Sequence, residues 1–166
     1  RLEETQCRKA PARPTILLRR RPLRTADNPA HGGAPRSRLD DVLAHIDANL
    51  EPALERLFAL LRIRSISTDP AYAKDCRACA EWHAKDLAAI GFDSAVRDTP
   101  GHPMVVAHDR SAQGSSALFY GHYDVQPVDP IELWDHDPFE PIFATLPDGT
   151  RIIKGRGASD DKGQVM

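Results

Sequence analysis

A histidine and an aspartate stand two residues apart in the stretch FYGHYDVQP, at His122 and Asp124. A second acidic stretch, DDKG, begins at Asp160 and follows two glycines, Gly155 and Gly157. Imidazole and carboxylate groups are ligands that zinc prefers, and additional carboxylates allow a second metal ion to share a bridging oxygen. The residue types therefore indicate a metal site. Taken alone they also fit a structural histidine and a solvated turn, and the spacing leaves both interpretations open.

The apolar run before His122 predicts how this histidine is positioned. SALFYGHYD is almost entirely apolar up to Tyr120, which is typical of a strand covered on both faces in the middle of an α/β sheet. His122 would then lie at the C-terminal edge of that sheet, where ligands usually bind. Asp124 is close enough in sequence to orient the imidazole and fix its tautomer.

The surrounding sequence predicts alternating helices and strands, and therefore an α/β fold. An amphipathic helix starts at Leu39 and can bend at Pro52, and a second helix, capped by Asp69 with Pro70 at its first position, stops at Gly91. Short apolar runs then predict strands at FDSAV and MVVAH. A hairpin follows over IFATLPDGTRIIKGRG, with its turn at Pro-Asp-Gly.

The cysteines point away from a disulfide framework. Cys7, Cys76 and Cys79 are an odd number, which fits a reducing, cytoplasmic setting. Cys76 and Cys79 have the C-x-x-C spacing of some metal and redox sites. Together with His83, however, they fall at i, i+3 and i+7 of a helical pattern, which favours the buried face of a helix.

Charge divides the chain into two parts. Residues 1–38 carry a net charge of +7 and residues 39–166 a net charge of −9. The first part is rich in Arg, Pro and Ala without periodicity and lacks an initiating Met, so we expect a disordered or non-native leader: upstream sequence, a transit-like segment or a nucleic-acid-binding arm. The acidic remainder argues against nucleic acid as a partner, and no apolar run is long enough for a membrane span.

Three motifs in order resemble one enzyme family. GHYDVQP, WDHDPFEP and GRGASDDKGQ are similar to the motifs of the dinuclear zinc exopeptidases and amidohydrolases, which include aminoacylase, carnosinase-type dipeptidases, glutamate carboxypeptidase, acetylornithine deacetylase and succinyl-diaminopimelate desuccinylase. The resemblance covers roughly residues 39–166. It implies a three-layer α/β catalytic domain with a central mixed sheet, of which only the N-terminal part is present.

The resemblance also implies roles for individual residues. His122 resembles the histidine ligand of one zinc ion, and Asp160 resembles the aspartate that bridges both ions. Asp124 resembles the catalytic carboxylate that supports the histidine. Asp161, Lys162 and Gly163 would form the supporting turn, and no ligand role is assigned to them.

The activity implied is hydrolysis of a peptide bond in dipeptides or short peptides by a water bound between two Zn²⁺ ions, with Co²⁺ or Mn²⁺ as alternatives. Gln126 makes the first motif more similar to the dipeptidase branch. The alternatives are an N-acyl amino acid deacylase and a non-catalytic domain of the same fold. Peptides or N-acyl amino acids would be the substrates, and the full-length enzyme is expected to be a cytoplasmic homodimer without nucleic-acid or membrane partners.

The family also has a Glu-Glu pair, a further acidic ligand and a late histidine, which would all lie beyond Met166. We therefore expect the sequence to be the N-terminal part of a longer enzyme and to be inactive by itself.

Overall fold

The structure is a computed structural model that describes residues 15–18, 38–111 and 113–166. Its helices and strands, in chain order, are β1 (Thr15–Leu18), α1 (Arg38–Ala48), α2 (Leu50–Leu61), α3 (Ala73–Ala89), β2 (Asp93–Arg97), β3 (Met104–His108), β4 (Ile142–Thr145) and β5 (Arg151–Lys154). Single 3₁₀ turns lie at Pro70–Tyr72 and Ile131–Leu133. The α/β class predicted from the sequence is confirmed.

The described strands form two small antiparallel sheets. One has the order β1-β5-β4, and the other pairs β2 with β3. The predicted hairpin is present as β4 and β5, and Gly149 in its turn has a φ of 81°, a conformation that glycine adopts without steric cost. Strand β1 belongs to the segment predicted to be a leader, and it pairs with β5 from Thr15↔Lys154 to Leu18↔Arg151. The rest of that segment, up to residue 37, lies outside the described residues.

The first predicted helix is two helices. The break falls at Asn49 rather than at Pro52, which lies in the first turn of α2, where a missing N–H leaves no intrahelical hydrogen bond unmade. Helix α1 has no buried residue, whereas α2 buries Leu54, Leu57, Leu60 and Leu61. Helix α2 is therefore the element that anchors the remaining structure.

Helix α3 begins at Ala73, three residues after the predicted start at Pro70, which instead opens a 3₁₀ turn. Asp69 accepts a hydrogen bond from the Ala71 amide at the preceding 3₁₀ turn, and Gly91 ends the helix with a φ of 100°. The predicted buried face is confirmed, because Cys76, Cys79 and His83 are all buried.

Two apolar clusters hold these elements together. The first joins α2 to β5 and to the segment before the Asp160 turn, through Leu54, Leu57, Leu61, Ile153 and Ala158. The second contains Ile66, Val125 and Phe139. The segments that carry His122 and Asp160 are thus each packed next to α2 or to the chain that follows it.

The strand predicted for SALFYGHYD, residues 116–124, is not formed. Leu118, Phe119 and Tyr120 are 95%, 93% and 90% exposed. Within the described part of the chain, the nearest strand-like pairing is the single parallel bridge between Ile66 and Val125, just after the run. An apolar strand is stabilised by neighbouring strands and by layers on both faces, and the described residues supply neither here.

Candidate metal centre

His122 lies between two carboxylates. Its Nδ1 is 3.0 Å from Oδ1 of Asp124, and its Nε2 is 3.1 Å from Oδ1 of Asp160. The structure therefore brings together the three residues singled out in the sequence. Nδ1 of His122 is also 3.1 Å from the backbone oxygen of Asp124. Nδ1 therefore donates to Asp124, and the lone pair of Nε2 is left to bind a metal ion.

Asp124 is held by the extended segment that follows α2. The Ser67 hydroxyl donates a 2.5 Å hydrogen bond to Oδ2 of Asp124, the oxygen that does not face His122. Ser65 fixes the same stretch of backbone, because its hydroxyl donates to the Tyr123 carbonyl at 2.7 Å and its own carbonyl accepts from the Val125 amide at 2.9 Å. The orientation of the imidazole is therefore set by two residues that lie far away in sequence.

Neither serine was predicted from the sequence to belong to the site. The signal that could have found them is the alternation of Ser65, Ile66 and Ser67, with a buried apolar residue between two hydroxyls in an extended segment. His102 was not predicted to contact this segment either, and its Nε2 lies 2.8 Å from the Ser67 carbonyl.

The Asp160 turn is attached directly to the His122 backbone. Oδ2 of Asp161 accepts a 3.0 Å hydrogen bond from the His122 amide. Gly121 permits this close approach, because a Cβ on it would lie 2.0 Å from Cγ1 of Val165 and 3.0 Å from the same Asp161 oxygen. Asp161 thus has a supporting role in the geometry, as the resemblance implied.

Lys162 is completely buried beneath this turn. Its Nζ donates hydrogen bonds to two backbone carbonyls, that of Leu60 in the last turn of α2 at 3.1 Å and that of Ile63, two residues after α2, at 2.6 Å. Burial lowers the pKa of the ammonium group, while the nearby Cys79, Cys76 and Asp124 act in the opposite direction.

The electrostatics at His122 depend mainly on its carboxylate neighbours. Burial lowers the pKa of the imidazole, but the charge of Asp124 and hydrogen bonds to Asp124 and Asp160 raise it, and the net shift is upward. The same negative potential favours any cation at Nε2.

The residues present fit one side of a metal site. Two ligand atoms on a tetrahedral zinc ion, each about 2.0 to 2.1 Å from it, lie roughly 3.3 Å apart, and Nε2 of His122 and Oδ1 of Asp160 are 3.1 Å apart. The Asp160 side chain is 74% exposed, so the site is open to solvent. Among the described residues, no group of three or more His, Cys, Asp or Glu side chains could hold a metal ion. Within the described residues, Nε2 of His122 and Oδ1 of Asp160 are thus two candidate ligand atoms.

The Cys76, Cys79 and His83 face packs behind the site. The Cys79 thiol lies 3.7 Å from the Tyr123 carbonyl, one residue from His122 in the chain. Burial raises the pKa of Cys76 to about 11 and lowers the pKa of His83 to about 4, so both groups are neutral at pH 7. This face therefore packs as part of the core.

A separate open cleft of about 520 Å³ is lined by residues of the WDHDPF stretch and its neighbours. His122, Asp124 and Asp160 do not line it. Trp134 donates from Nε1 to the Val128 carbonyl at 3.0 Å, and Phe139 is buried. In the described part of the chain, none of the helices has the length and apolarity that crossing a membrane requires.

Comparison with known proteins finds similarity to peptidases and to a desuccinylase. Residues 118–166 match the family model described as Peptidase family M20/M25/M40. The chain is 37% identical over 103 residues to a succinyl-diaminopimelate desuccinylase of Bordetella avium, a match that covers 62% of this chain and 26% of that protein. It is 28% identical over 142 residues to the Cys-Gly metallodipeptidase DUG1 of Saccharomyces cerevisiae, covering 77% of this chain and 29% of that protein.

Solved structures give the same result. Human carnosine dipeptidase 1 matches with a TM-score of 0.66 and 26% identity, over 80% of this chain and 30% of that one. The di-peptidase Dug1p of Saccharomyces cerevisiae matches with a TM-score of 0.63 and 29% identity, over 76% of this chain and 28% of that one. The chain thus spans less than a third of the length of these relatives. The resemblance expected from the three motifs is confirmed, and residues 118–166 of this chain match the model of Peptidase family M20/M25/M40.

Proposed function

We propose that the full-length protein is a metal-dependent hydrolase that cleaves the peptide bond of dipeptides or short peptides. The observation that carries this proposal is the position of His122, with Asp124 on its Nδ1 and Asp160 facing its Nε2. His122 and Asp160 are the proposed metal ligands, and Asp124 is the proposed catalytic carboxylate that supports the histidine. Zn²⁺ is the proposed metal, with Co²⁺ or Mn²⁺ able to take its place.

The residues of this chain have distinct tasks in that reaction. Asp124 accepts the Nδ1–H of His122, which fixes the tautomer that presents a lone pair at Nε2. Ser67 donates to the second oxygen of Asp124 and prevents the carboxylate from rotating away. Asp160 presents its exposed carboxylate beside Nε2. A metal ion held by His122 and Asp160 would supply Lewis-acid activation of a water molecule and of the scissile carbonyl.

The substrate class is proposed from the relatives and from the first motif. The matches that cover most of this chain, at 76% to 80%, are to proteins described as dipeptidases, and Gln126 fits that branch. A second candidate, an N-acyl amino acid deacylase, is favoured by the 37% identity to a desuccinylase. The general base and the other metal ligands are assigned to none of the described residues. A cytoplasmic location and a homodimeric state are part of the proposal.

The test is an activity assay of the full-length protein on a panel of dipeptides and N-acyl amino acids, before and after removal of metal by a chelator. We expect dipeptide hydrolysis that is lost with the chelator and restored by Zn²⁺. His122→Ala should lower the rate to that of the assay without enzyme, and Asp124→Asn should lower it by about 10- to 100-fold, the range for partners of metal-bound histidines.

His108→Ala is the matched control, because His108 is an exposed histidine at the end of β3 and should retain full activity. Hydrolysis of N-acyl amino acids alone would replace the dipeptidase proposal with the deacylase. Activity that survives complete metal removal, or that is unaffected by His122→Ala, would contradict both.

A further inference from the structure

We propose that Lys162 is a positioning residue of the metal site, which sets the distance between Asp160 and His122 by fixing the Asp160 turn to the end of α2. This inference rests on the proposed function, because it assumes that His122 and Asp160 share a metal ion. Lys162 itself makes no hydrogen bond to either of these two side chains. Its hydrogen bonds go to the backbone carbonyls of Leu60, in α2, and of Ile63, two residues after α2.

The end of α2 and the extended segment after it form one frame for both halves of the site. The histidine half is attached to this frame by Ser65, which hydrogen-bonds the backbone on both sides of Asp124, and by Ser67, which holds the Asp124 carboxylate. The position of the imidazole relative to α2 is therefore determined by residues 65–67.

The aspartate half is attached to the same frame by Lys162. Its two hydrogen bonds end on the carbonyls of Leu60 and Ile63, immediately before the serine segment. The C-terminus of a helix carries a partial negative charge, and an ammonium group there is stabilised by that charge. A buried ammonium that lost these partners would be strongly destabilised, so the arrangement resists displacement.

The stem of Lys162 adds a steric constraint. A Cβ placed on Gly157, whose φ is 82°, would lie 3.3 Å from Cδ of Lys162, 2.9 Å from Val125 and 3.6 Å from Leu61. The lysine stem thus fills the space directly below the glycine that opens the turn. The hydrogen bond from the His122 amide to Asp161 ties the turn to the histidine segment. Ala158 packs against α2 before Asp160, and Lys162 is a fixed point on α2 and the residues after it on the other side of Asp160.

The test compares Co²⁺ binding by the full-length wild-type protein with binding by Lys162→Met, which keeps most of the stem and removes the charge and the donors. Calorimetry gives the affinity, the visible absorption of bound Co²⁺ reports the coordination geometry, and thermal unfolding of the metal-free proteins gives their stability. We expect Lys162→Met to weaken Co²⁺ binding by about 10- to 100-fold, the scale of groups that orient metal ligands, and to change the absorption spectrum.

Lys154→Met is the matched control. Lys154 lies on β5 and makes an ion pair of 2.6 Å with Asp135. Replacing Lys154 should therefore leave the Co²⁺ affinity and the absorption spectrum unchanged. If Lys162→Met does not fold, Lys162→Gln replaces it, because the shorter amide can still donate to one carbonyl. The Co²⁺ affinity of Lys162→Gln is expected to fall below that of the wild type.

A variant that unfolds at a lower temperature but binds Co²⁺ with wild-type affinity and spectrum would overturn the inference, since Lys162 would then only stabilise the fold. That outcome would leave the proposed function intact. A wild-type protein that binds no Co²⁺ would overturn the proposed function, and this inference with it.

Discussion

Acidification should destabilise the protein through His83, and the size of the effect follows from the structure. His83 is 9% exposed in helix α3, and its Nε2 has no hydrogen-bond partner among the described residues. Burial, together with the nearby Lys162 charge, lowers the pKa of His83 from 6.5 to about 4, against a small opposing effect of Asp86. The unfolded chain therefore binds a proton at this histidine before the folded chain does.

The sign and magnitude follow from linkage. A histidine whose pKa is lower in the folded state does not change the free energy of unfolding well above pH 6.5. It lowers that free energy progressively as the pH drops from 6.5 towards 4. With those two values, the free energy of unfolding decreases by about 2 kcal/mol at pH 5 and by about 3 kcal/mol at pH 4.

The measurement is urea unfolding of the wild type and of His83→Phe at pH 7 and pH 5. The variant removes the titrating group, so its loss of stability between the two pH values should be about 2 kcal/mol smaller than that of the wild type. Cys79→Ala is the control on the same buried face: it should be destabilised by the same amount at both pH values, because a buried thiol does not ionise there. Equal pH dependence in the wild type and His83→Phe would refute the reasoning.

Two further substitutions test the packing that positions the site. Gly121→Ala places a methyl group 2.0 Å from Val165 and should lower the free energy of unfolding by about 1 to 3 kcal/mol, whereas Gly101→Ala, whose nearest neighbour would be 3.8 Å away, should be close to neutral in the same denaturation assay. Ile153→Ala creates a cavity at a fully buried position between α2 and β5 and should lower the free energy of unfolding by about 2 to 5 kcal/mol in chemical denaturation. Ile142 is 38% exposed, so a decrease for Ile153→Ala no larger than that for Ile142→Ala would contradict the assignment of this core.

Local sequence was informative where the structure depends on neighbours in the chain. The cap at Asp69, the stop at Gly91 and the turn of the β4-β5 hairpin were all predicted, because each depends on backbone preferences within a few residues. The run before His122 was predicted wrongly. Its apolar residues favour a buried strand, but burial requires partners from elsewhere, and residues 118–120 are at least 90% exposed in the described structure.

The sequence by itself determined the chemistry that this site can have: the imidazole, the carboxylates on either side of it, and the order of motifs that relates the chain to a metallopeptidase family. Residue types and short-range spacing carry that information directly. Only the tertiary structure decided which atoms meet, because the contacts join residues that are far apart in the chain: 38 residues from His122 to Asp160, 57 from Ser67 to Asp124, and 102 from Lys162 to Leu60. The alternation of Ser65, Ile66 and Ser67 marks an extended segment but does not identify what the two hydroxyls contact. Those contacts, and the role of Lys162, follow from the packing around α2.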